Sequence, residues 1–157
     1  MLRSLVFIAA LAPSVAAAAA QPAQFLSQAI RGNFSEVTLG RIIETRGSSA
    51  AVRGFGAMLV HDHSIGLAQA QQIAARLRLR IAPALTPEAR AEQVRLRHLG
   101  GRAFDREVRR YMVLDHRNDI RDFRAQVRSG DRATIGYAAA SIPVMRRHLA
   151  MAKALPG

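Results

Sequence analysis

Apolar residues recur every three to four positions along most of this chain, and prolines and glycines interrupt the pattern at only a few places. This spacing is typical of amphipathic helices, whereas strands would alternate apolar and polar positions over several residues. The pattern predicts long helices over about 24–46, 50–80, 102–128 and 131–154, and a short helix over about 87–99. The expected fold is therefore all-α, an antiparallel four-helix bundle with a short extra helix before the third long helix.

Turn and cap residues support these boundaries. Thr86 followed by Pro87 is a typical helix start, with the threonine as N-cap and the proline in the first helical position. Pro83 ends the second long helix, and Pro143 predicts a kink in the last one, because proline cannot donate a helical hydrogen bond.

Each long helix also places a polar side chain among its inward apolar residues, at about 100° of rotation per residue. These candidates are Glu36, His63, His116 and His148, one from each helix. Helical bundles build metal sites from such inward side chains, and imidazole and carboxylate donors suit zinc, iron, copper or manganese. A ligating histidine usually donates its second ring N–H to a carboxylate. Asp62, Asp105, Asp115 and Asp119 are the candidates for that supporting role.

A second interpretation of the same residues is a buried polar network without any ion. Histidines and aspartates can remain in a core when they satisfy one another's hydrogen bonds, and they then help to fix the register of the helices. Spacing alone leaves both interpretations open. His61 and His98 fall outside the inward stripes and are expected at the surface.

The N-terminus has the three parts of a secretory signal peptide. Arg3 supplies the positive charge, a short apolar stretch follows, and the alanine run ending at Ala20 offers a cleavage site. The sequence thus predicts a signal peptide over 1–20 and one domain over 21–157. The apolar stretch is too short to span a membrane, and the chain has no cysteine for a disulfide or a lipid anchor. A periplasmic protein that is not a lipoprotein is expected.

Positive charge dominates the composition, with a formal net charge of +12 and Lys153 as the only lysine. Arginine pairs bidentately with carboxylates and phosphates, so one hypothesis is an envelope-stress interaction module that binds acidic envelope lipid or polysaccharide. The alternative is a solvated surface that keeps the protein soluble. Nucleic acid is not expected as a partner, because export separates the protein from the chromosome.

The sequence has no phosphate-binding glycine loop, no nucleophile elbow and no Cys-His pair, so an enzyme is not expected. A metal-dependent oxidoreductase is the enzymatic alternative.

Four segments resemble an exported bacterial family, domain-of-unknown-function family 4142, which is grouped with ferritin-like four-helix bundles. They are FLSQAIRGNFSEVTLG at 25–40, VRGFGAMLVHDHS at 52–64, FDREVRRYMVLDH at 104–116 and PVMRRHLAMA at 143–152. The resemblance implies a ferritin-like fold, an envelope location and no settled biochemical role. The di-iron signature Glu-x-x-His is absent, since Val60, Val113 and Met145 precede the three inward histidines by three residues.

Overall fold

In the computed structural model, which describes residues 15–156, the protein consists of five helices. They are α1 (Val15–Arg46), α2 (Ala50–Arg76), α3 (Pro87–Arg97), α4 (Gly101–Ser129) and α5 (Arg132–Ala154). The described residues contain no strand. This confirms the predicted class of four long helices with a short helix before the third.

The predicted helix ends are confirmed at most positions. Thr86 Oγ1 accepts a hydrogen bond from the Ala89 amide, and Asp131 caps α5 in the same way. α2 ends earlier than predicted, because Arg78 takes a left-handed φ of 56° and thereby stops the helix. Arginine seldom adopts this conformation, so the early end could not be predicted from the residue type.

α1 starts earlier than predicted, at Val15, where a run of alanines favours the helix. Residues 1–14 of the predicted signal peptide lie outside the described residues. Among residues 15–156, no helix combines the length and apolar character needed to cross a membrane.

The order of the helices requires one long crossover. Short connections make α1–α2 and α4–α5 antiparallel hairpins, whereas α2 and α4 both run opposite to α1. Residues 77–100 must therefore travel the length of the bundle. They do so beside α1, where the Thr86 amide donates to Ser35 Oγ at 3.0 Å and the Arg46 guanidinium donates to the Leu96 carbonyl at 2.8 Å. Ferritin-like bundles use this one-crossover connectivity.

α1 and α2 pack closely because glycines face each other at their contact. A Cβ atom added to Gly40 would lie 3.0 Å from the Gly56 carbonyl oxygen. A Cβ atom added to Gly56 would collide with the backbone nitrogen of Glu44 and approach the Gly40 carbonyl. Only glycine at these positions permits this approach of the two backbones.

The apolar core is divided into two clusters. The first cluster lies near the α1–α2 connection and includes Leu39, Phe55, Leu59, Phe104, Met112 and Leu155. The second cluster lies towards the opposite end of the bundle and includes Phe25, Ile30, Ile73, Phe123, Tyr137 and Met145. On each of the four long helices, a buried polar residue falls in sequence between members of the two clusters.

Asp105 lies at the end of the first cluster, where it caps the α1–α2 connection. Its carboxylate accepts from the Ser48 amide at 2.9 Å, the Ser48 hydroxyl at 2.6 Å and the Ser49 amide at 3.2 Å. Burial alone would raise the pKa of Asp105, but these hydrogen bonds outweigh burial and hold that pKa below its usual value. Asp105 therefore ties the start of α4 to the first hairpin.

Asp105→Asn is expected to lower the free energy of unfolding by about 2 kcal/mol at pH 7, because asparagine offers one acceptor oxygen and points an amide group at a donor. The folded pKa lies below the unfolded one, so the contribution is present above pH ~4 and is lost as pH falls through the folded pKa. In urea unfolding, the difference in unfolding free energy between wild type and variant should become smaller as the pH is lowered. Asp122→Asn, at an exposed pair with Arg121, is the control. A gap that persists at low pH would contradict this role.

Candidate metal centre

A layer of four buried polar side chains lies between the two apolar clusters, one from each long helix. Glu36, His63, His116 and His148 are 2%, 7%, 0% and 0% exposed. Each lies three or four positions from a buried apolar residue of its helix, as His116 follows Met112 and Glu36 precedes Leu39, so the helix that buries the stripe also buries the polar group. The structure thus brings together all four residues predicted as ligands.

The three histidine rings pack against one another at the centre of this layer. The ring centroids of His63 and His148 are 5.1 Å apart, those of His116 and His148 5.3 Å, and those of His63 and His116 5.8 Å. One nitrogen from each ring lies within 4.8 Å of a nitrogen of each of the other two. The closest pair is His116 Nε2 and His148 Nδ1, at 3.3 Å.

The outer nitrogens of two rings face oxygen atoms that can only accept a hydrogen bond. His116 Nδ1 lies 3.1 Å from the Met112 carbonyl oxygen, and His148 Nε2 lies 2.8 Å from Asp62 Oδ2. A carbonyl or carboxylate fixes the adjacent ring nitrogen as the N–H donor. The two inner nitrogens of the neutral rings therefore both carry lone pairs and face each other without a hydrogen between them.

The third ring, His63, is oriented by Asn33. The Asn33 amide group donates to the Ala29 carbonyl at 2.7 Å and to the Tyr137 hydroxyl at 2.9 Å, which leaves its oxygen to accept from His63 Nδ1 at 3.0 Å. A Cβ atom at Gly66 would collide with this oxygen, so glycine makes room for it. His63 Nε2 consequently carries a lone pair, and it has no hydrogen-bond partner among the described residues.

Glu36 adds an oxygen beside these nitrogens. Its Oε2 atom lies 3.9 Å from His63 Nε2 and also has no hydrogen-bond partner among the described residues. Glu36, Asp115 and His116 form a second group of donor atoms within 4.8 Å of one another. The neighbouring Asp115 carboxyl group adds to the effect of burial in raising the pKa of Glu36.

Burial shifts the pKa values of the histidines and carboxyl groups in this layer towards their uncharged forms. It lowers the pKa of His116 to about 3 and lowers the pKa values of His63 and His148, although the hydrogen bond with Asp62 opposes the shift at His148. Burial and nearby carboxylates raise the pKa values of Glu36 and Asp119, and burial raises that of Asp115. Burial therefore favours neutral imidazoles and protonated carboxyl groups in the layer.

The four predicted supporting aspartates have different positions. Asp62 binds His148 and is itself held by Arg147, whose guanidinium lies 2.7 Å from the same oxygen. Asp115 contacts Glu36 rather than a histidine, and the half-buried Asp119 lies near Asp115. Asp105 does not join this layer, since its oxygens accept from Ser48 and Ser49.

The contact of Arg147 with Asp62 was not predicted from the sequence. Sequence reasoning also did not identify the Met112 carbonyl as a partner of His116, because a backbone acceptor leaves no signal in the residue types. His61 is exposed, as predicted, with 75% of its side-chain surface accessible.

A cavity of about 680 Å³ leads to one side of this layer. Residues of all four long helices and of the loop before α3 line it, including Glu36, His63, Asp115, Tyr137 and Met145. A volume of this size admits hydrated ions and small molecules. The cavity therefore gives Glu36 and His63 access to one side of the layer, whereas His116 and His148 do not line it.

The sequence profile of one protein family, described as Domain of unknown function (DUF4142), matches residues 9–155. The match confirms the resemblance noted on the four sequence segments. Neither the curated proteins nor the solved structures include a match to the chain.

Proposed function

The chain belongs to the family Domain of unknown function (DUF4142), and we propose that it is a metal-binding helical bundle whose ion is held by His63, His116, His148 and Glu36. The observation that carries the proposal is the convergence of unsatisfied donor atoms. One nitrogen from each of the three histidines lies within 4.8 Å of a nitrogen of the other two. The Glu36 oxygen that lies 3.9 Å from His63 Nε2 has no hydrogen-bond partner among the described residues.

The alternative of a self-sufficient polar network fits these contacts poorly. Such a network stabilises a core only when its members satisfy one another. Here His63 Nε2 and Glu36 Oε2 have no hydrogen-bond partner among the described residues, and two further lone pairs oppose each other at 3.3 Å. A cation among the three histidine nitrogens would satisfy their lone pairs, and Glu36 would supply an oxygen beside His63.

The supporting contacts are those that metal ligands use. Ligating histidines donate a hydrogen bond from their second ring N–H to a carboxylate or a carbonyl oxygen. His148 does so to Asp62, and His116 does so to the Met112 carbonyl. Two nitrogens bound tetrahedrally at 2.0–2.1 Å from zinc are about 3.3 Å apart, which equals the separation of His116 Nε2 and His148 Nδ1. Three imidazoles and one carboxylate suit zinc first, with iron, manganese and copper as the other members of the class.

Metal binding should release protons. Lowered pKa values keep the three histidines neutral at pH 7. Raised pKa values favour a protonated carboxyl group at Glu36 or Asp115, and a cation would displace that proton. Release of about one proton per ion at pH 7 is therefore expected, and affinity should increase with pH over the range in which this carboxyl pair still holds its proton.

Calorimetry of protein purified without a histidine tag and stripped of metal tests the proposal. One equivalent of Zn²⁺ should bind, the heat should depend on the ionisation enthalpy of the buffer, and native mass spectrometry should show a single bound ion. Protein that takes up no stoichiometric Zn²⁺, Mn²⁺, Fe²⁺ or Cu²⁺ and shows no change in melting temperature with any of them would overturn it.

A further inference from the structure

The exposed face of α4 carries a row of arginines along the whole helix, away from the metal layer. The row consists of Arg102, Arg106, Arg109, Arg117, Arg124 and Arg128, all of them exposed. At 1.5 Å per residue it extends over about 39 Å. None of the six makes an ion pair or a side-chain hydrogen bond with another described residue. The row is therefore free to bind an external anion.

The acidic residues of α4 leave this row uncompensated. Asp105, Asp115 and Asp119 point towards the interior or the cavity. Glu107 is occupied by Arg110, at 2.6 Å, and Asp122 by Arg121, at 2.8 Å. The face thus keeps its positive charge in a chain whose net charge is already +12.

An exposed apolar side chain lies beside the row near its middle. Leu114 is 52% exposed and lies one helical turn from Arg110 and from Arg117. Guanidinium groups bind phosphates bidentately, and an adjacent leucine can enter the acyl boundary below them. A hydrated anionic polymer has no apolar layer that would favour Leu114.

We propose that the arginine row of α4 docks lengthwise on an anionic phospholipid surface. The straight helix presents its guanidinium groups along one line, which a flat bilayer can contact simultaneously. The six arginines and Leu114 contribute no atom to the histidine layer, so lipid binding is separable from metal binding.

Vesicle sedimentation tests this proposal on the full chain. Wild-type protein should bind vesicles of phosphatidylglycerol and phosphatidylcholine in equal parts, should not bind phosphatidylcholine alone, and should dissociate as salt shortens the screening length below about 10 Å. The variant Arg106→Gln/Arg117→Gln/Arg124→Gln should bind about 100-fold more weakly, because each basic side chain near such a surface contributes roughly a fivefold factor.

The matched control is Arg41→Gln/Arg76→Gln/Arg80→Gln, which removes the same charge from exposed positions outside α4. It should lose much less affinity than the α4 variant, and both variants should unfold like wild type. Equal losses in the two variants would mean that net charge alone drives binding and would overturn the proposal. Tighter binding to soluble polyphosphate than to vesicles would also overturn it, in favour of a polymer.

Discussion

His116→Leu is expected to abolish high-affinity metal binding while leaving the metal-free bundle as stable as wild type or more stable. The binding free energy of a structural zinc site, about 10–16 kcal/mol, divided among four ligands gives roughly 2.5–4 kcal/mol for each. Loss of one ligand should therefore weaken binding by about 60- to 700-fold. Calorimetry with chelator competition measures this change, and urea unfolding of metal-free protein measures stability.

The stability part of this prediction separates the two interpretations of the layer. His116 is fully buried, and in a metal-free protein its Nε2 faces another lone pair. Leucine has a similar volume and removes that unfavourable contact, so its substitution should not destabilise the metal-free state. A satisfied polar network would instead lose several kcal/mol when one member is removed.

Two comparisons control for indirect effects. His61→Leu changes an exposed histidine of α2 and should alter neither property. Asp62→Asn removes the carboxylate that pairs with His148 and Arg147 and leaves all four proposed ligands in place. It should cost roughly 10–100-fold in affinity, as loss of an outer partner does. Metal binding by His116→Leu as tight as that of wild type would place the ion elsewhere.

Gly56→Ala is expected to cost about 3 kcal/mol of unfolding free energy, at the upper end of overpacking effects. The added methyl group would collide with the backbone nitrogen of Glu44 and would also lie 2.7 Å from the Gly40 carbonyl oxygen. Backbone atoms cannot rotate away as a side chain can, so α1 and α2 would have to separate. Denaturant unfolding measures this loss. The midpoint concentration should fall, while the slope of unfolding free energy against denaturant concentration should stay unchanged.

Gly54→Ala is the matched control in the same helix. A Cβ atom at Gly54 meets nothing within 4 Å. Alanine there should stabilise the protein by up to about 1 kcal/mol, because glycine is a poor helix former. Similar effects of the two substitutions would show that α1 and α2 do not pack through Gly56 in solution.

Periodicity predicted the helices and the inward direction of the four candidate ligands, because both depend on rotation about a single helix axis. It could not predict which inward residues lie at the same height in the bundle. Asp105 shares the inward direction of His116, yet it lies 11 residues earlier, about 16 Å along α4. Its carboxylate therefore caps the α1–α2 connection and does not reach the histidines.

Contacts between helices were the other feature that sequence reasoning missed. Arg147 lies at the edge of the inward stripe of α5, and its contact with Asp62 depends on how α5 is rotated against α2. The choice of tautomer at each histidine likewise depends on partners such as Asn33 and the Met112 carbonyl, whose positions follow from packing. Residue types therefore located the layer, and the fold determined which of its atoms are unsatisfied.

The one-crossover connectivity divides the proposed ligands equally between two units that form from local contacts. Glu36 and His63 belong to the α1–α2 hairpin, and His116 and His148 belong to the α4–α5 hairpin. Hairpins of this kind form faster than the long-range contacts between them. An ion could bind tightly only after the hairpins dock, and it would have to leave before they separate. Metal would thus act mainly on the lifetime of the assembled protein, by slowing unfolding, rather than on the rate at which its halves form.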